Sequence, residues 1–203
     1  MVTVLDLSPI IQLTHEQFYQ LCMANRDVAM ERSPKGELII MTPIGGESGI
    51  QEASLISKVV GWNEQTELGV VFSSSTVFKL PGGGGHAVCD SSRSPDVAWV
   101  KRDRWESLTQ TEREKFPPLC PDFVIELRSR PGSWGVAQSA KRLIPLQEKM
   151  QEYLQSGLRL GWLINPQDLQ VKIYRLNRPV ETLPYPATLS GEDVLPGFNL
   201  LIS

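Results

Sequence analysis

Two short runs of the chain set a single carboxylate inside an otherwise apolar stretch of strand-like pattern: Ser94-Pro95-Asp96-Val97-Ala98-Trp99-Val100, and Phe123-Val124-Ile125-Glu126-Leu127 extended by Arg128 and Ser129. In a strand successive side chains point to opposite faces, so Val124, Glu126 and Arg128 share one face and Phe123, Ile125 and Leu127 the other. An acid and a base are thereby neighbours. Ionised carboxylates are costly to bury unless paired or bound to a metal, so Asp96 and Glu126 call for a chemical reason. Downstream, the pattern changes to a helical period over 146–154, and Lys149 falls between Leu146 and Tyr153 on the inward stripe.

The remaining elements follow from the same periodicities. Thr14 and Gln17 have the spacing of a capping box opening a short helix through Phe18, Leu21 and Cys22. Extended runs over 28–32 and 37–41 flank Ser33-Pro34-Lys35-Gly36, which reads as a hairpin. Ile50, Ala53, Ile56, Val59 and Val60 predict a long helix over 47–66 covering one face of a sheet. A strand is expected over 70–80, a glycine-rich loop over 81–85, and a charged helix and connection over 101–115 closed by Pro117-Pro118. A long connection occupies 130–145, and Gly157 should stop the Lys149 helix. Asn165-Pro166-Gln167-Asp168 is a turn between two strands, and a further hairpin is expected around 190–193. Strands with one long helix before and one after the acidic pair predict an α/β fold, a mixed sheet flanked by helices.

With 203 residues the chain fits a single domain, 1–203. Hydrophobic content is 41% and charged content 21%, and no run is long enough to cross a bilayer. With no basic, apolar leader at the start, the expected location is cytoplasmic. Three cysteines, Cys22, Cys89 and Cys120, are odd in number and far apart, which argues against a disulfide framework. His86 and Cys89 lack the second ligand pair of a structural zinc site. A net charge of −3 counts against a surface that attracts nucleic acid everywhere, although a local basic groove is compatible with it. A carboxylate site adds negative charge of its own until a cation arrives.

The order Pro95-Asp96, Glu126-Leu127-Arg128-Ser129, Lys149-Met150-Gln151-Glu152-Tyr153, then Gly157 and Gly161-Trp162-Leu163-Ile164-Asn165-Pro166 resembles the Uma2 (DUF820) family of endonucleases, in the PD-(D/E)XK nuclease superfamily. The likeness runs from about 14 to 198 and takes in Gly36-Glu37-Leu38-Ile39-Ile40-Met41 and the closing stretch 189–198. It implies a restriction-endonuclease-like mixed β-sheet flanked by helices. It also implies a Mg²⁺- or Mn²⁺-dependent endonuclease hydrolysing phosphodiester bonds in duplex DNA, the cation held by Asp96 and Glu126. The superfamily pattern puts its base where this chain has Arg128, and similar proteins supply lysine from the next helix, here Lys149. Lysine can lose a proton and orient or activate water. Arginine stays charged, which leaves Arg128 to stabilise the transition state or to pair with a carboxylate.

Glu31 and Glu47 are candidate auxiliary acids, and solvent-facing charge explains each equally well. Asp122 lies too far along the strand to share the cation of Glu126 and is expected to be structural. Lys101, Arg102 and Arg104, close in sequence to Asp96, are candidate nucleic-acid contacts, with a solvated connection as the other reading. The five tryptophans fit core and interface better than a base-stacking platform. Cutting both strands of a duplex calls for two active sites, so a homodimer is expected, with Trp162, Ile173 and Tyr174 offering the apolar surface. A competing reading keeps the scaffold without the chemistry: a degenerate nuclease fold acting as a nucleic-acid-binding or interaction module, as Arg128 and the long connection would suit.

Overall fold

The computed structural model describes residues 3–7, 9–82, 91–129 and 139–203, without the side chains of 139–144. His86, Cys89, Trp134 and most of the 130–145 connection lie outside the described residues. The chain opens with β1 (Thr3–Leu5), α1 (His15–Ala24), β2 (Met30–Arg32) and β3 (Leu38–Ile40). The capping box is formed as expected: the Gln17 N–H donates to Thr14 Oγ1 at 3.2 Å, and the Thr14 N–H to Gln17 Oε1 at 2.9 Å. β2 and β3 make the expected hairpin, with Met30 opposite Ile40 and Arg32 opposite Leu38.

The long helix, α2 (Gly46–Thr66), keeps its predicted span and part of its predicted inward stripe, with Val59 buried and Ile56 packed against the core. Ser48, Leu55 and Val59 are buried, whereas Ile50 is 73% exposed. The run over 70–80 is two strands, β4 (Gly69–Ser73) and β5 (Phe78–Lys79), in different sheets. A turn closed by the Thr76 N–H on the Ser73 carbonyl at 3.0 Å separates them, as three consecutive serines allow. Then come β6 (Ser92–Arg93), β7 (Val97–Lys101), the short helices α3 (Arg102–Glu106) and α4 (Gln110–Glu114), and β8 (Phe123–Leu127).

Helix α5 (Ser139–Gln155) takes in the end of the expected connection and carries Pro145 inside it. It stops where predicted. Gly157 has φ +104°, a region that suits a residue without Cβ, and the Leu158 N–H reaches back to the Tyr153 carbonyl at 2.9 Å. The chain ends with β9 (Leu160–Asn165), β10 (Gln170–Arg175), β11 (Glu181–Pro184), β12 (Ala187–Ser190) and β13 (Asn199–Ile202). β12 and β13 pair antiparallel across the expected reversal.

The principal sheet has the order β11-β10-β9-β8-β7-β4 and is mixed. β8 and β9 are parallel, joined through α5, and the other neighbours are antiparallel. Strand alternation sorts its side chains as expected. Val97, Trp99, Phe123, Ile125, Leu127 and Trp162 pack with Leu55 and Val59 of α2, and Ala98, Val100, Val124 and Leu163 with Met150 and Tyr153 of α5. A Cβ on Gly161 would come within 2.5 Å of the Met150 side chain, so glycine there lets α5 lie close on the sheet. Trp162, Ile173 and Tyr174 are core residues, 0%, 4% and 2% exposed, which removes the surface expected for a homodimer. A second sheet, β1-β3-β2-β6-β5, is joined to the first through Ser94-Pro95-Asp96, where the chain steps from β6 to β7.

Candidate active site

That step between the sheets is where the acids meet. Val97 pairs with Ile125 on antiparallel strands, which puts Asp96 and Glu126 side by side at one end of the pair, on the face covered by α5. The Leu127 N–H donates to Asp96 Oδ2 at 2.6 Å. Glu126 Oε1 accepts from Lys149 Nζ at 2.8 Å and from the Tyr153 hydroxyl at 3.1 Å. Among the described residues nothing donates to Asp96 Oδ1 or Glu126 Oε2.

Lys149 is 8% exposed, and its ammonium has three acceptors. They are Glu126 Oε1, Glu31 Oε1 at 2.8 Å and the Ser94 carbonyl at 2.9 Å. Glu31 on β2 is therefore no solvent-facing charge. It also accepts the Ser94 N–H at 2.8 Å and Arg93 Nη1 at 3.0 Å. Arg93 in turn grips Glu152 of α5 with two bonds, Nε to Oε2 at 2.7 Å and Nη2 to Oε1 at 2.6 Å.

The electrostatics divide the acids. Burial, and then the charge of Glu126, raise the Asp96 carboxyl well above the ordinary range against the pull of Lys149 and the Leu127 N–H. Burial also raises Glu126, with Lys149 opposing and Glu31 adding. Glu31 is lowered, because although burial works upward, Lys149 and Arg93 outweigh it. Burial works against the charge on Lys149, yet Glu126 and Glu31 keep it strongly in the ammonium form.

The other expected residues are placed apart. Glu47 is exposed in the first turn of α2, where an acid suits the helix N-terminus. Lys101, Arg102 and Arg104 lie at the opposite end of β7 from Asp96, about 16 Å away along a strand that rises ~3.3 Å per residue. Strand direction separates what sequence proximity suggested. Arg104 pairs there with Asp122 at 2.9 Å, Lys101 with Asp103 at 3.0 Å, and Arg102 Nε donates to the Glu67 carbonyl at 2.6 Å. Asp122 is structural, as expected, and also accepts the Lys101 N–H at 2.9 Å. Arg128 is buried and paired with a carboxylate, Asp168 at 3.0 Å, and donates to Asn165 Oδ1 at 3.1 Å.

Sequence reasoning passed over Arg93, Glu152 and Glu52. Glu152 is three residues from Lys149, the spacing of one helix face. Glu52 lies on the inward stripe of α2 with Ser48, Leu55 and Val59, accepts from Ser74 Oγ at 2.5 Å, and adds to the repulsion on Asp96. A charge on a buried stripe was the available signal.

A buried and a partly buried carboxylate, Glu126 and Asp96, each with an oxygen that lacks a donor among the described residues, fit a hard divalent cation. No cluster of three or more His, Cys, Asp or Glu side chains suited to a metal is present among the described residues. Such a cation would rest on two carboxylates, water and substrate phosphate, which is the habit of Mg²⁺.

Residues 15–203 match the model of the Uma2 family, described as "putative restriction endonuclease". The fold matches the crystal structure of a "putative nuclease belonging to DUF820" from Anabaena variabilis with a TM-score of 0.57, at 19% identity over 80% of each chain. No curated protein matches the sequence.

Proposed function

The chain belongs to the Uma2 family, and on that premise we propose that it is a Mg²⁺- or Mn²⁺-dependent endonuclease that hydrolyses phosphodiester bonds in duplex DNA. The observation that carries the reading is the pair of neighbouring carboxylates, each with one oxygen lacking a donor among the described residues, beside a buried ammonium. Asp96 and Glu126 would hold the cation, which would supply polarisation of the scissile phosphate and a lowered pKa for the attacking water. The Leu127 N–H fixes Asp96 by one oxygen, and Lys149 with Tyr153 fixes Glu126 by one, which orients the two remaining oxygens.

Lys149 acts as a cation. Its three donors are engaged, and loss of a proton would leave Glu31 and Glu126 without their shared partner. Its charge stabilises negative charge gathering on the phosphorane-like transition state. Arg128, held by Asp168, anchors the 165–168 turn to the end of β8. Among the described residues no helix is long and apolar enough to cross a membrane, in keeping with a cytoplasmic enzyme. A homodimer is the simplest supply of two sites for two strands, through a surface other than Trp162, Ile173 and Tyr174.

Supercoiled plasmid incubated with Mg²⁺ or Mn²⁺ tests the reading. Nicking and linearisation are expected with the wild type and are absent with chelator or with Asp96→Ala. Cleavage by a purified Asp96→Ala, Glu126→Ala double variant overturns it. One observation favours a second reading: every donor of Lys149 is already taken by the protein, as in a scaffold that binds without cutting. Salt-sensitive duplex binding with neither Mn²⁺ affinity nor cleavage would select that alternative.

A further inference from the structure

The residues around Lys149 form a closed ring rather than a cluster. Lys149 of α5 binds Glu31 of β2, Glu31 binds Arg93 of β6, and Arg93 returns through a two-pronged contact to Glu152, one helical turn from Lys149. Charges alternate around it. Each carboxylate oxygen of Glu31 has a donor: Oε1 takes Lys149 Nζ and the Ser94 N–H, Oε2 takes Arg93 Nη1. This differs from Asp96 and Glu126, each of which keeps an oxygen without a donor among the described residues. Glu31 is 3% exposed and Arg93 5% exposed, so both are held by packing as well as by charge.

We infer that Glu31 is a positioning residue and not a cation ligand: locked by Arg93 and Glu152, it sets the Lys149 ammonium against Glu126. The inference deepens the nuclease reading and rests on it for the catalytic consequence alone. A ligand acid must present an oxygen to the cation, whereas the oxygens of Glu31 are turned to two protein cations and a backbone N–H. The ring also ties the two sheets together at the site. β2 and β6 belong to the smaller sheet, while Lys149 and Glu152 ride on the helix that covers the larger one. Docking of the smaller sheet thereby completes the lysine's surroundings.

Glu31→Gln keeps the shape and a hydrogen-bond acceptor and removes the charge. Expected are Mn²⁺ affinity by electron paramagnetic resonance within about threefold of wild type and a kcat for plasmid cleavage lowered with little change in KM. Glu31→Asp should recover part of kcat. Independently of metal and DNA, the Lys149 Nζ resonance in ¹⁵N-lysine spectra should be protected from solvent exchange in the wild type and lose that protection in Glu31→Gln. Glu152→Gln, which contacts neither Lys149 nor Glu126, should weaken the protection less and covers the case in which Glu31→Gln fails to fold. An Mn²⁺ affinity falling as far as in Asp96→Ala makes Glu31 a ligand and overturns the inference, as does unchanged Lys149 protection in both Gln variants. A wild type that neither binds Mn²⁺ nor cuts DNA would defeat the nuclease reading and leave the exchange measurement still deciding the role of Glu31.

Discussion

Strand β8 and the residue before it bury two carboxylates on one face, Asp122 and Glu126, each 2% exposed, and they differ in almost everything else. Both oxygens of Asp122 have donors. Oδ2 takes the Lys101 N–H and Oδ1 takes Arg104, whose own side chain is 40% exposed. Glu126 has two donors on one oxygen, none on the other among the described residues, and shares its lysine with Glu31. On the proposed reading, then, burial does not distinguish a structural acid from a functional one, and incomplete satisfaction does, because a buried group left short of partners costs free energy that a fold would ordinarily remove.

The sharpest way to break this comparison is to delete both acids in turn. Glu126→Ala should lower Mn²⁺ affinity more than about 100-fold, beyond the range for residues that merely support metal ligands. Its stability should fall by about 1–3 kcal/mol, since the buried Tyr153 hydroxyl loses its acceptor while Lys149 keeps Glu31 and the Ser94 carbonyl. Asp122→Ala should spare the metal. It orphans the Lys101 N–H and releases Arg104 to solvent, costing about 1–3 kcal/mol in urea unfolding while Mn²⁺ affinity holds. If both variants lose metal, the distinction between the two ends of the strand fails.

Lys149→Met comes next, because it removes the cation that two carboxylates share. Leaving Glu31 and Glu126 buried without it should cost about 3–5 kcal/mol and abolish cleavage. Adding Glu31→Gln to that variant should return part of the stability without returning activity, since it removes one of the two stranded charges. Arg128→Met should do less to both. Asp168 is half exposed and can be hydrated, so the loss should be about 1 kcal/mol with cleavage reduced but present. Circular-dichroism melts and plasmid assays on the two methionine variants rank them directly.

The parts of this arrangement legible in the sequence are those fixed by local rules. Period-two alternation puts Glu126 on the α5 face and Ile125 on the α2 face, and the Thr14 capping box and the Gly157 stop need only residues a turn apart. What failed depended on phase or direction. Ile56 and Val59 hold the predicted stripe of α2, but Leu55 rather than Ile50 and Ala53 completes it, which carries Glu52 inward and leaves Ile50 in water. Lys101, Arg102 and Arg104 follow Asp96 closely in the chain, yet a strand carries them to its far end. The Glu31–Arg93–Glu152 ring was unreadable for a third reason: its members come from β2, β6 and α5, and only docking of the two sheets brings them together.

The smallest expected effect concerns the pH dependence of that ring. Glu31 is held below its ordinary value of 4.5 by Lys149 and Arg93, which outweigh burial. A carboxyl whose folded pKa is depressed binds fewer protons folded than unfolded within the window between the two values. Unfolding free energy therefore rises with pH there, so the contribution of Glu31 is complete above about pH 4.5 and is lost as pH falls through the lower folded value. Urea unfolding followed from pH 7 to pH 3 should show an acid limb that is shallower in Glu31→Gln, by no more than about 1.4 kcal/mol per pH unit, the limit for one proton. The Gln variant should be the less stable protein at pH 7 and approach the wild type toward pH 3. Parallel curves across the whole range would mean that Glu31 carries no depressed pKa, and that the ring holds Lys149 by shape rather than by charge.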